Sequence, residues 1–161
     1  VGKFTDYEFQ SVWHVDATPD ECYAVLYELS RYPSWWPEVK EVRQVSSSRY
    51  ELRCRSFLPY DLVFTTERAV EDPSARVLEA SMLGDLEGFS RWTIVAAGTG
   101  TDCTFDEHVI TNKRMLDRLA PIARPFFRAN HSLMMWHGRK GLQTFISGYR
   151  LGRAGPAETG P

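Results

Sequence analysis

A chain of 161 residues has room for one domain and one core, and a composition 43% apolar, 13% aromatic and 25% charged excludes the disordered and fibrous classes. A formal net charge of −2 supplies no broad attraction for nucleic acid or an anionic bilayer, which excludes nucleic acid as the expected partner. Cys22, Cys54 and Cys103 are odd in number and lack C-x-x-C spacing, which points to reduced thiols and a cytoplasmic protein.

The first element is a strand over Tyr7 to Val15, with Phe9, Ser11, Trp13 and Val15 on one face. Thr18-Pro19-Asp20-Glu21 combines an N-cap Thr, Pro at the first helical position and Glu three residues after the cap, so a short helix opens there. Its apolar stripe is Cys22, Val25, Leu26 and Leu29. The prolines of Arg31-Tyr32-Pro33-Ser34-Trp35-Trp36-Pro37 leave space for one further short helical turn, which acts as a rigid corner.

From Val39 to Thr111 the apolar period is close to two, interrupted by turn residues. Those breaks give six strands, roughly Val39 to Val45, Tyr50 to Phe57, Leu62 to Glu71, Val77 to Leu83, Phe89 to Ala96 and Cys103 to Thr111. Short connections imply an antiparallel meander. Its apolar face is matched by a long helix expected from about Asn112 to Gly148, whose stripe includes Leu116, Leu119, Ala123, Phe126, Phe127, Asn130, Leu133, Met134, His137, Gly141 and Phe145. Pro121 and Pro125 predict a bend or restart. The expected domain spans residues 1–148, and residues 149–161, rich in Gly, Pro and small polar side chains, form a flexible tail. No apolar run is long enough to span a membrane and no leader-like segment opens the sequence. The chain does not begin with Met, which is compatible with removal of an upstream segment.

Several motifs then fall in a familiar order: Trp13-x-Val15-x-Ala17 before the capped helix, Tyr32-Pro33-x-Trp35-Trp36-Pro37, and Gly84-Asp85-Leu86-Glu87-Gly88 followed by Trp92. Leu119-Ala120-Pro121-x4-Phe126, Asn130-His131 and Gly138-x-x-Gly141-Leu142 complete the set, which covers positions from about 9 to 146. In these features the chain resembles the polyketide cyclase/dehydrase branch of the START-like (SRPBCC, Bet v 1-like) superfamily. The resemblance implies an α+β helix-grip fold: a curved seven-stranded antiparallel sheet around a long C-terminal helix, with two short helices after strand one. It also implies a hydrophobic cavity between sheet and helix. Family members either ring-close or dehydrate polyketides, or bind lipid-like ligands, and fold alone does not choose.

The candidate ligand-binding residues are Trp13, Trp36, Phe57, Phe64, Trp92, Phe105, Phe127, Asn130 and Met134. Stiff rings line small-molecule pockets well, although ordinary core packing uses the same residues. The cavity is expected to hold on the order of a few hundred Å³ and to open near Trp35 and Trp36. Asn130 either fixes a strand or loop by hydrogen bonding or orients a ligand. His137 is expected at the sheet's edge, and His131 lies about 100° from Asn130, also toward the edge. Glu107 is the acid/base candidate, because it alternates with Phe105, Val109 and Thr111 where the resemblance leads one to expect an aromatic residue. A carboxylate on that face is costly unless protonated, hydrated or paired, for example with Arg91 or Arg53. His14 and His108 fall in the opposite, solvent-facing register.

Gly98-Thr99-Gly100 lacks the third glycine of a dinucleotide site and reads as a hairpin turn. The scattered His and Cys imply no metal, and no cofactor motif is present. Glu51 interrupts Arg49, Arg53 and Arg55, which read as a solvated sheet face. Two functions remain: binding of a polyketide-like or lipid-like hydrophobic molecule, or an aromatic polyketide cyclase/dehydratase that promotes aldol closure and dehydration. A partner-binding module with a collapsed cavity is a third. The oligomeric state is open, and a homodimer is compatible with the composition.

Overall fold

Alternating apolar positions dominate the chain between its helical segments, and they fold as that alternation dictates. The computed structural model describes residues 6–112 and 124–153. Strands β1 (Asp6–Val15), β2 (Val39–Gln44), β3 (Arg49–Cys54), β4 (Leu62–Asp72), β5 (Val77–Gly84), β6 (Leu86–Ala97) and β7 (Gly100–Thr111) form one sheet. All neighbours are antiparallel, in the order β1-β7-β6-β5-β4-β3-β2. Between β1 and β2 lie helix α1 (Pro19–Tyr27) and a 3-10 turn (Leu29–Ser34), and the long helix α2 covers Arg124–Arg153.

Local chemistry accounts for the ends. Thr18 and Glu21 form the expected capping box at α1. Gly98 takes φ +59 in the two-residue turn between β6 and β7, a conformation that glycine adopts without penalty. Three strand limits differ from expectation. β3 stops at Cys54, while β6 already starts at Leu86 and β7 at Gly100. Gly84 and Gly98 mark chain reversals, and the ladder resumes within two residues of each.

Helix α2 packs across the concave face in a different phase from that expected. Phe127, Asn130, Met135, Leu142 and Ile146 are buried, whereas Phe126 is 57% exposed. The phase follows from Gly138 and Gly141. A Cβ added at Gly141 would stand 1.7 Å from the Trp35 carbonyl oxygen, and one at Gly138 would stand 2.6 Å from the Trp36 ring. The helix therefore lies directly on the tryptophan corner. Its course past residue 148 to Arg153 corrects the expected onset of the tail, since Arg150 binds Glu21 at 2.6 and 2.8 Å and the Asp16 carbonyl at 3.2 Å. The expected helix start at Asn112, Leu116, Leu119, Pro121 and Ala123 falls wholly or largely outside the described residues, Asn112 itself following the last β7 residue without helical structure.

Candidate functional site

Between the sheet and α2 lies a cavity of about 160 Å³ with a largely apolar wall. Phe64 on β4, Met82 on β5, Trp92 on β6 and Phe105 on β7 form the sheet side. Phe127 and Met134 cover it from α2, and Trp36 borders it from the corner. It is smaller than expected, because the rings of Trp13, Trp35, Trp36 and Trp92 pack together beside it. Trp13 stacks edge-on against Trp36 at 5.2 Å and Trp92 at 4.8 Å, and so lies behind the wall instead of on it. Phe57 is also absent from the wall. Beyond the end of β3 it sits in the connection to β4, 49% exposed.

The inner polar end is built from facing elements. Glu107 projects inward from β7, as the alternation with Phe105 and Val109 requires, and is only 9% exposed. Its cross-strand neighbours are Phe9 on β1 and Ser90 on β6. His131, expected at the edge, instead turns inward because of the helix phase. Its ring stacks on Phe9 at 3.7 Å and 11° between planes, and its Nε2 stands 3.7 Å from Glu107 Oε2. Arg91 and Arg53 do not serve Glu107, since they bind Glu79 and Glu41 with Asp61. Burial pushes the nearby Cys54 thiol up to about 12, with the Glu107 and Glu38 carboxylates adding to it. Asn130 accepts from the Leu58 N–H at 3.2 Å and turns its amide nitrogen to the Met134 sulfur at 3.6 Å.

The outer end reaches the surface between α1 and β4. Tyr27, Val70 and Glu71 line the cavity and are each partly exposed, so solvent approaches here and not at the buried Trp35 and Trp36. Arg68 completes the inward row Leu62, Phe64, Thr66, Arg68 along β4. It donates to Glu71 at 2.6 Å and to the Tyr27 carbonyl at 2.5 Å while lying over the Tyr27 ring at 4.2 Å. The last carbonyls of α1 thereby gain a cation where the helix dipole favours one. A register shift after Arg68 brings Val70 and Glu71 to the same wall.

His131, Ser90 and Arg68 are site residues that sequence reasoning did not place in the cavity. A basic residue in an otherwise inward-facing strand register was a readable signal for Arg68, whereas His131 depended on the helix phase. His137 is half-buried and binds Glu38, a 5% exposed carboxylate between the corner and β2. Nothing in the local sequence announces Glu38 as buried. His14 and His108 face solvent as expected, paired with Asp102 and Asp6. Among the described residues no cluster of His, Cys, Asp or Glu has the makings of a metal site, and no helix is long and apolar enough to cross a membrane.

The model of a family described as polyketide cyclase/dehydrase and lipid transport matches residues 15–134. Among solved structures, a START superfamily protein from Mycobacterium smegmatis is 17% identical with a TM-score of 0.71, the match covering 88% of this chain and 98% of that one. The Zhui aromatase/cyclase of a Streptomyces species is 15% identical with a TM-score of 0.72, covering 88% and 94%. A Thermus thermophilus protein is 14% identical with a TM-score of 0.68, covering 86% and 98%. At such identities the likeness is one of fold. No curated protein matches the chain in sequence at a significant level.

Proposed function

From the premise that this chain belongs to the polyketide cyclase/dehydrase and lipid transport family, we propose that it binds a hydrophobic small molecule in its internal cavity. The observation that carries this reading is the apolar space of about 160 Å³ left between sheet and helix. Natural interiors are packed to crystal-like density, so a void of this size and shape leaves ring and thioether surfaces without contacts. An apolar occupant supplies those contacts and gains ~25 cal/mol for each Å² removed from water. Saturable binding of a fluorescent apolar probe, with the stoichiometry read by native mass spectrometry, tests this. Ala80→Phe, which pushes a ring into the cavity from β5, should abolish binding while the protein stays folded by circular dichroism. Equal probe binding by that variant would place the probe elsewhere and sink the reading.

One observation favours a second reading, an aromatic polyketide cyclase/dehydratase. A buried carboxylate and imidazole 3.7 Å apart in an apolar pocket suit proton transfer. Glu107 would take a proton from the carbon between two carbonyls, and His131 would protonate the oxyanion formed as the new carbon–carbon bond closes. The apolar wall would hold the chain folded for attack. Turnover of a short poly-β-ketone surrogate that survives Glu107→Gln would remove this reading and leave the binding one standing.

A further inference from the structure

The way into the cavity is crossed by one side chain. Arg68 projects from β4 at the outer end, facing Tyr27 of α1. Its guanidinium binds Glu71 of its own strand at 2.6 Å and the Tyr27 carbonyl on the opposite bank at 2.5 Å, and it covers the Tyr27 ring at 4.2 Å. The Tyr27 hydroxyl completes the seam by donating to Glu71 at 3.4 Å. All three residues line the cavity, so a molecule entering between α1 and β4 has to part them. Helix α1 is fastened unequally behind this seam. Near its start Asp20 binds Arg76 at 2.9 Å, Glu21 binds Arg150 at 2.6 Å, and Cys22 is buried in the core. Further along, the Leu26 carbonyl accepts from the Tyr32 hydroxyl at 2.6 Å. Tyr27 then ends the helix at Glu28, whose φ of −82 and ψ of 78 give no left-handed cap. Among the described residues Arg68 is the side-chain donor to this last carbonyl.

We infer that Arg68 is a bar across the cavity mouth: ligand exchange waits until it releases the Tyr27 carbonyl and the last turn of α1 swings away from β4. This rests on the binding reading above. Arginine suits the task, because its planar fork of donors holds a carboxylate and a carbonyl at once. The side chain is only 17% exposed, so little water stands ready to replace those bonds while they are broken, and bonds to a charged group are the stronger ones. Once the bar is withdrawn, the movement left is local. A helix end whose carbonyls lack partners opens far more easily than the helix as a whole, and the ion pairs at the start of α1 stay closed while its end moves.

The test is stopped-flow mixing of the full chain with N-phenyl-1-naphthylamine, an uncharged fluorescent probe. In the parent the observed rate should level off as the probe concentration rises, because opening of the mouth then limits entry. Arg68→Met keeps much of the side chain's length and removes its donors. It should raise the plateau about tenfold, with dissociation faster as well. Glu71→Gln leaves the guanidinium in place with a weaker anchor, and should raise the plateau by a smaller factor. A parent rate that climbs linearly to the highest concentration, or a plateau that neither variant moves, overturns this inference while the cavity remains a binding site. Faster dissociation with unchanged entry also overturns it, since Arg68 is then only a wall contact. Absence of saturable binding by the parent overturns the binding reading as well. The parent's concentration dependence and the two variants are separate measurements, so the test stands if one variant fails to fold.

Discussion

Asn130 shows how one polar side chain inside an apolar stripe is resolved. Of its two readings from sequence, fixing the fold or orienting a ligand, its carbonyl is committed to the first through the Leu58 N–H. Leu58 lies in the connection between β3 and β4 and is 8% exposed, so that N–H has no water to fall back on. Asn130→Ala should therefore cost about 1–3 kcal/mol, read from the urea midpoint, and should speed hydrogen exchange at the Leu58 amide. Unchanged exchange there would mean that another group holds the connection. Glu107 was legible because a strand's period of two leaves only two choices of face, and Phe105 and Val109 decide between them. His131 was not. On a helix an error of one residue turns a side chain by about 100°, enough to move this imidazole from the rim into the cavity.

At the scale of elements, the sheet was legible nearly whole, because turn residues mark every reversal and short connections allow only neighbouring strands to pair. The phase of α2 was not, since Phe126, Leu133 and His137 widen the apparent stripe beyond the face that is buried. Gly138 and Gly141 held the missing information. Two small residues three apart identify the line along which a helix approaches something closely, here the Trp35 backbone and the Trp13 and Trp36 rings. The helix's end was hidden for another reason, a tertiary ion pair. Arg150 holds the Glu21 carboxyl at about 2, well below its ordinary 4.5. A depressed carboxylate contributes stability that is present above 4.5 and lost as the pH falls through about 2. The pair is partly exposed, so solvent screens it and its contribution is that of a surface ion pair. Urea unfolding should show Arg150→Gln less stable than the parent at pH 7, and the difference should shrink on acidification. A difference that stays constant down to pH 2 would assign the effect to the Asp16 carbonyl contact instead.

For the whole molecule, the order of elements was enough to read the helix-grip architecture, whereas the size of the cavity was not readable. Volume is the remainder after packing, and it depends on where the largest side chains settle. Four of the five tryptophans settle together: Trp13 lies 6.4 Å from Trp35, 5.2 Å from Trp36 and 4.8 Å from Trp92, and Trp35 and Trp36 are 5.5 Å apart. Rings this close exchange electronic excitation, so light absorbed by any of the four migrates among them before it is emitted. Two of the four, Trp36 and Trp92, border the cavity, and an occupant that quenches either becomes a drain for the group. Trp136, 48% exposed on the outer side of α2, emits apart from them at longer wavelength. A cavity ligand should thus remove the blue part of the emission and leave a weaker, red-shifted spectrum, and Trp136→Phe should delete that remainder. A spectrum that fades at saturation without changing shape would mean that the ligand sits away from the buried quartet, whatever its affinity.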